Sequence, residues 1–487
     1  MVKLKSLIFI LLIIIFLSFS FYPTVYEISH KDKLVDQSRE FILEHNFYWP
    51  DFNLYLSKIR QGFEGRWTGL ERYTSEPHQG SLIQEFYVIL GQIGRLFKID
   101  PNSAYQLGRL ILSPLLLILI YRYCKYFFPQ FSLTLIAFLI VVISGSFPRF
   151  YTEEGIYRIG RYMEWWSNID ALQRITFIPH ILFGQIVSFY VLYQLTMNHN
   201  SPSPPLTLRG GWGGLRHNKF LLYILLGNLA GLVFPPSLIT LDGVILLNIA
   251  ITALIKLKYQ ILNIKYQKYI FNIKNIFNFL SVYFIFDFLF LIFTLPSLLY
   301  FMILTRKIPW SALVEAHRLH PMMIPLDQYV LGTGPILLLG FGGAMVSIIK
   351  QDKKYQPLIF WVLSTFLFAS FFSIVRDQSP LRFTQTGLFI PLGLLGTFFL
   401  QQIWIALNHL GGGRLIPLSG RSHDSYEVKE SKSNQIITLG LKKFLVICYM
   451  LFVICYVLEN LFIMKTSYDW QISKLRVGSG EIIPIDN

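Results

Sequence analysis

The sequence predicts an all-α polytopic membrane protein with about eleven transmembrane helices, and three observations carry that prediction. Charged residues are 15% of the 487 residues and hydrophobic residues 53%, whereas an average soluble protein is about 25% charged. Several apolar runs hold the roughly 20 residues a helix needs to cross hydrocarbon. The basic surplus, a net charge of +15, gathers in the connections between those runs. That pattern speaks of topology and points away from nucleic acid as a partner. Backbone groups in lipid must be satisfied within their own segment, so the spans are helices. Cys124, Cys448 and Cys455 give neither a disulfide framework nor a metal-knuckle spacing.

Taken in order, residues 6–22 follow Lys3 and Lys5 and are not followed by a small-residue cleavage site. They read as a retained anchor with the N-terminus in the cytoplasm. Residues 23–105 are then external. Within them, Leu82, Ile83, Phe86, Ile89, Leu90, Ile93, Leu96 and Phe97 form a helical stripe, expected as a juxtamembrane helix over Ser81–Phe97. A span at about 106–121 leads to Arg122 and Lys125 inside, and 131–147 returns to an external loop, Pro148–Thr176. Residues 177–196 re-enter. The Pro/Gly/Ser-rich insert that follows carries Arg209, Arg216 and Lys219 and no acid, which marks the cytoplasmic side.

Spans at 220–234 and 238–255 form a hairpin turned at Pro235-Pro236. The acid-free connection 256–274, with Lys256, Lys258, Lys265, Lys268 and Lys274, is again inside. Spans follow at about 276–304, 329–349, 357–375, 385–405 and 444–464. They leave Arg306–Gln328 and Arg376–Thr384 outside, 406–443 inside, and a tail, 465–487, outside. Residues 1–464 thus form one transmembrane domain in a multi-pass plasma (inner) membrane.

The stretch Asn46–Gly80 cannot cross a membrane and carries Asp51, Glu64, Glu71, Glu76 and His78 among aromatic and basic residues. Pro50-Asp51 reads as a helix start. Helical spacing puts Asp51, Tyr55 and Lys58 on one face and Phe52, Leu56 and Ile59 on another. Gly62 is expected to end this helix, which would lie apolar side down on the bilayer with its carboxylate at headgroup level. The outer face also gathers Glu153 and Glu154 in the second loop, His317 and His320 in the third, and Arg376, Asp377 and Arg382 in the last turn. An external segment as long as 23–105 suggests function on a rigid scaffold.

Three stretches in succession carry a resemblance. An acid opens a short helix in the first external loop (Asp51 in WPDFNLYLSKIRQG), a juxtamembrane helix follows (LIQEFYVILGQIGRLF), and the next span begins AYQLGRLILSPLLLILIY. This arrangement resembles the GT-C superfamily of lipid-dependent glycosyltransferases, and within it the bacterial branch similar to protein mannosyltransferases and aminoarabinose transferases. The likeness covers residues 1–150 and is architectural beyond them. It departs from the family where Phe52 follows Asp51 in place of a second acid, and where Glu76-Pro77-His78 replaces a Pro-Pro pair.

The resemblance implies a GT-C-like fold, a polyprenyl-phosphate-linked sugar as donor, membrane lipid around it, and an acceptor glycan, lipid or protein. An acidic residue of the first loop acts as base, which by position is Asp51. The residues expected to contact substrate are Tyr55, Glu76, His78, Glu153, Glu154, His180, Arg376 and Arg382. Chemistry agrees: a carboxylate can take the acceptor proton, and an arginine fork binds two phosphate oxygens at once. Cofactor identity stays open, because some relatives hold a divalent metal with a second-loop acid.

Each residue also has a plainer use. Asp51 fits a helix cap, Glu153 and Glu154 balance nearby arginines, His180 fits a hydrogen-bonded helix end, and Arg376 and Arg382 suit lipid headgroups. Two other functions share the features: a lipid or solute transporter or flippase, using Asp242 and Asp287 within the spans, and an O-antigen polymerase or ligase.

Overall fold

The computed structural model describes residues 2–29, 31, 42–43, 49–153, 155–162, 171, 173–199, 217–266, 273–321, 325–410 and 432–477. Its α-helices are α1 (Val2–Ser29), α2 (Trp49–Phe63), α3 (Glu85–Phe97), α4 (Pro101–Phe127), α5 (Phe131–Ile143), α6 (Pro179–His199), α7 (His217–Val233) and α8 (Pro235–Tyr266). They continue as α9 (Ile273–Leu304), α10 (Trp310–Leu319), α11 (Leu326–Thr333), α12 (Pro335–Ile349), α13 (Gln356–Val375), α14 (Phe389–Leu410) and α15 (Lys432–Val477). One antiparallel hairpin, β1 (Pro148–Glu153) with β2 (Ile156–Arg161), interrupts the helical series.

All eleven segments expected to span are helical. Among the described residues seven helices are long and apolar enough to cross a membrane, and an eighth is added if α11 and α12 count as one broken span. The seven cover Leu4–Ser29, Pro101–Phe127, Pro235–Ile255, Asp287–Leu304, Lys353–Val375, Phe389–Ala406 and Leu439–Leu461. The expected span 329–349 is not straight: α11 and α12 meet at 88°. The corner is Gly334, whose φ of +76° belongs to the left-handed region, and Pro335 starts the next helix. Of the other expected spans, α5 and α7 are apolar but shorter, and α6 is longer but interrupted by Gln185 and Gln194.

Helix α14 is central. Leu392, Leu394 and Leu395 are fully buried, and glycines let its neighbours approach. A methyl group on Gly343 of α12 would collide with the Leu395 carbonyl, and one on Gly393 with Val141 of α5. Helix α1 stays peripheral. Phe9 and Phe16 turn inward against Phe138, at ring distances of 5.5 and 6.3 Å. Leu4, Leu7, Leu11 and Ile14 are exposed, as a lipid-facing helix requires.

One face of the bundle carries α2 and α3, and the loops there hold one another. The Leu82 amide donates to the Tyr300 hydroxyl at the end of α9 (2.8 Å). The Phe147 amide donates to the Leu331 carbonyl (2.9 Å). Arg318 of α10 pairs with Asp377 beyond α13 (2.6 Å). On the opposite face, Lys354 donates to the Phe127 carbonyl (2.8 Å).

Two expectations for the first loop need correction. Gly62 does not end α2, which continues to Phe63. It is a contact point, because a methyl there would collide with the Val88 carbonyl and one on Gly91 would collide with the Ile59 carbonyl. The inner side of α2 (Phe52, Tyr55, Lys58 and Ile59, all nearly inaccessible) is therefore covered by protein, not lipid. Lys58 and Tyr55 join the buried side, leaving Asp51 exposed.

Helix α3 begins at Glu85, later than Ser81. Its 13 residues reach only about 20 Å, short of the ~30 Å hydrocarbon core. Ile89, Ile93, Leu96 and Phe97 are left open on its outer side, the row a helix lying at a membrane surface presents.

Candidate active site on the face of α2 and α3

Asp51 lies in the first turn of α2, where the helix favours negative charge. One turn on, Tyr55 enters a stack of phenols. Its ring lies 4.5 Å from Tyr87 of α3 and 6.2 Å from Tyr105 of α4, in near-parallel planes. His180, at the start of α6, closes the stack edge-on, 5.4 Å from Tyr55 and 5.9 Å from Phe234. Its Nδ1 is hydrogen-bonded to the Tyr87 hydroxyl at 2.8 Å. Four elements thus converge on one aromatic floor.

The charges above that floor meet on Tyr55. Burial raises its phenol well above the ordinary range, the Asp51 carboxylate raises it further, and the Arg382 guanidinium opposes them. Tyr87 is raised for the same first reason, with Asp51 again contributing. Arg382 comes from the 3-10 turn Pro380–Thr386 between α13 and α14. A first-loop acid and a late-turn arginine, more than 300 residues apart in sequence, thus both act electrostatically on the same tyrosine. At His317 of α10, burial first and then the positive charge of Arg382 lower the imidazole from its usual value. His317 lines a shallow cleft with Pro321, Phe372, Ser373, Arg376, Gln378, Ser379 and Pro380.

The other expected contacts are placed differently. His78 has both ring nitrogens engaged: Nε2 accepts from the Glu71 amide (2.9 Å), so Nδ1 carries the proton and donates to the Glu76 carbonyl (2.8 Å). It braces its own loop and meets Trp310 edge-on at 5.6 Å. Glu76 is exposed. His180 is 5% exposed and forms the floor rather than an open contact. Glu153 closes β1, with its side chain outside the described residues, and Glu154 lies outside them altogether. Among the described residues no group of three or more His, Cys, Asp or Glu gathers where a metal could be held.

Several buried charges escape the sequence reading. Lys58 is inaccessible and pairs with Glu71 at 2.6 Å. Beside them Glu85 is 9% exposed, and burial pushes its carboxyl up to about 7 against the pull of Lys58. Arg109 of α4 donates from Nε to the Thr176 carbonyl (2.9 Å) and from Nη1 to Gln106 (2.7 Å), with Phe21 of α1 under its guanidinium at 5.2 Å. Arg174 donates to the Val142 carbonyl (2.8 Å) and faces Phe389 at 4.3 Å. Glu459 of α15 accepts from the amides of Ser146 and Ala171, each at 3.3 Å. For Arg109 and Glu459 the signal that could have found them was a charge inside an apolar run, which needs a partner to be tolerated.

No family model matches the chain, and no curated protein matches it. Among solved structures, it is similar to the crystal structure of the Archaeoglobus fulgidus oligosaccharyltransferase in complex with Zn and sulfate, at 13% identity and a TM-score of 0.41. The superposition covers 92% of this chain and 52% of the other, so the chain spans about half the length of that enzyme.

Proposed function

We propose that this chain is a membrane glycosyltransferase of the GT-C type, moving a sugar from a polyprenyl-phosphate donor to an acceptor hydroxyl or amine on the outer face of a cell membrane. The observation that carries the reading is the exposed Asp51 carboxylate in the first turn of α2, next to Tyr55, whose phenol feels both Asp51 and Arg382. Inverting transfer needs a base for the acceptor proton and a cation for the departing phosphate, set on either side of the anomeric carbon. Asp51 takes the proton. Arg382 neutralises the leaving phosphate, aided by Arg376 of the same turn, and a guanidinium does so without giving up its charge.

The buried stack of Tyr55, Tyr87 and Tyr105 holds the first turn of α2, and with it Asp51, in a fixed place. The isoprenoid tail would rest between apolar helices, as a lipid-borne donor demands. The sequence resemblance of residues 1–150 to lipid-dependent glycosyltransferases supports the same assignment.

The test is Asp51→Asn, which keeps the shape and removes the base. In membranes supplied with a panel of polyprenyl-phosphate-linked hexoses and pentoses, transfer by the variant should fall at least about a hundredfold. Undiminished transfer would remove Asp51 from the mechanism. If the natural chain transfers none of the panel, the glycosyltransferase reading itself is lost.

A further inference from the structure

The connection between α2 and α3, residues 64–84, has no helix of its own and is folded back on α2. The Gln61 side chain of α2 clamps Leu70 from both sides, accepting from its amide (2.7 Å) and donating to its carbonyl (3.0 Å). Gly69 and Ser81 exchange two backbone hydrogen bonds that close the connection into a loop. Next in the chain, Glu71 takes the fully buried Lys58 ammonium at 2.6 Å. Gly69 makes room for that pair, since a methyl group there would collide with the Lys58 stem.

A second carboxyl stands at the same place. Glu85 opens α3 and is nearly inaccessible, and its Oε2 has no hydrogen-bond partner among the described residues. An ionised oxygen in that position would be costly, and the Lys58 ammonium, whose charge Glu85 feels, is already held by Glu71. One cation therefore serves two buried acids, and the arrangement is neutral only while one of them keeps a proton.

From this geometry we propose that Lys58, Glu71 and Glu85 form a proton-operated latch, which closes residues 64–84 onto α2 while Glu85 is protonated and releases them when Glu85 ionises. The proton goes to solvent, the new carboxylate draws the Lys58 ammonium, and Glu71 loses its partner. Burial, which raises the Glu85 carboxyl to about 7, sets the direction. In the released loop the same carboxyl returns toward its solvated value of about 4.3. Closure is thus favoured in full below the lower value, and that advantage is gone once pH has risen through the higher one.

The remaining ionisable groups around Glu85 do not reproduce this behaviour. His78 accepts from the Glu71 amide, so its protonation would loosen the loop as pH falls, the opposite direction. The Tyr300 hydroxyl at the end of α9 accepts from the Leu82 amide. On α4, Arg109 is engaged by Thr176 and Gln106, and His180 of α6 is bonded to Tyr87. Because the loop also touches Trp310 of α10 through His78, its release would part the first-loop module from α10. The latch does not rest on the glycosyltransferase reading.

The test is hydrogen exchange read by mass spectrometry on the full-length chain in detergent micelles at pH 5 and pH 8, corrected for the intrinsic pH dependence of exchange. Protection of the Gly69, Leu70 and Glu71 amides should fall at least about tenfold between the two, with α4 unchanged. Glu85→Gln should hold the pH 5 protection at pH 8 within about twofold, and Glu71→Gln should leave the loop weakly protected at both. His78→Gln should keep the fall. Equal loop protection at the two pH values in the natural chain overturns the latch. So does an undiminished fall in Glu85→Gln, or a fall shared by α4, which is general loosening.

Discussion

The first-loop module of α2 and α3 and the late turn around Arg376–Arg382 use positive charge in opposite ways. In the module Lys58 is sunk against Glu71 and beside Glu85, and nearby Arg109 is wrapped by Thr176 and Gln106. Those cations hold the backbone in place. In the turn, Asp377 is taken by Arg318, Arg376 lines a shallow cleft, and the charge of Arg382 is felt at Tyr55. A buried, fully partnered cation fixes geometry, while a cation whose counter-ion is claimed elsewhere is free to receive a ligand. In the proposed mechanism the acid comes from the braced helix and the cation from the turn.

That contrast can be broken first at the helix contact. Gly62→Val places a branched side chain where the Val88 carbonyl already sits. Overpacking of this kind costs roughly 1–3 kcal/mol or more, and α2 should be prised from α3. Limited proteolysis should then cut between residues 63 and 85, and sugar transfer should fall with Asp51 still present. Resistance to protease equal to that of the natural chain would mean that the two helices are not rigidly seated.

A smaller effect sharpens the electrostatic half of the comparison. The Glu85 carboxyl is raised to about 7 by burial, well above its unfolded value of about 4.3. The neutral acid is thus the form the fold favours. The stability it lends is complete below the unfolded pKa and is lost as pH rises through about 7. Glu85→Gln should flatten that slope, so that unfolding measured at pH 5 and pH 8 differs less than in the natural chain. An unaltered slope would mean that Glu85 is solvated or fully paired with Lys58.

The smallest effect is expected at Arg318→Ala. An exposed pair contributes little to stability, so thermal unfolding should barely move. The released Asp377 carboxylate should compete for Arg376 and weaken farnesyl phosphate binding by roughly twofold. Binding that is unchanged or stronger would show that Asp377 does not govern the charge of the turn.

Much of this arrangement was legible in the sequence. Apolar runs located each of the seven helices long and apolar enough to span, because hydrocarbon forbids polar backbone, and Pro50-Asp51 located the start of α2 within a residue. What was not legible depended on a partner. Gly62 reads as a stop in isolation and becomes a contact only beside Val88. Tyr55 reads as a polar-face residue until Tyr87 and Tyr105 cover it.

The corner at Gly334-Pro335 is hidden in a continuous apolar run, although Gly before Pro was a signal for it. The hairpin around Gly155 was likewise signalled, by a turn glycine between β-rich stretches. Of the expected site residues, Tyr55 and His180 meet in the buried aromatic stack, and the charges of Asp51 and Arg382 are both felt at Tyr55. His78 is withdrawn into its loop because both ring nitrogens have backbone partners.

Glu459 has one more implication. Its carboxylate receives the amide of Ser146, 313 residues earlier in the chain, and that of Ala171. During synthesis, the segment between those two residues leaves the ribosome long before the helix that fastens it. The two hydrogen bonds that tie Ser146 and Ala171 to Glu459 can therefore form only once α15 has been made.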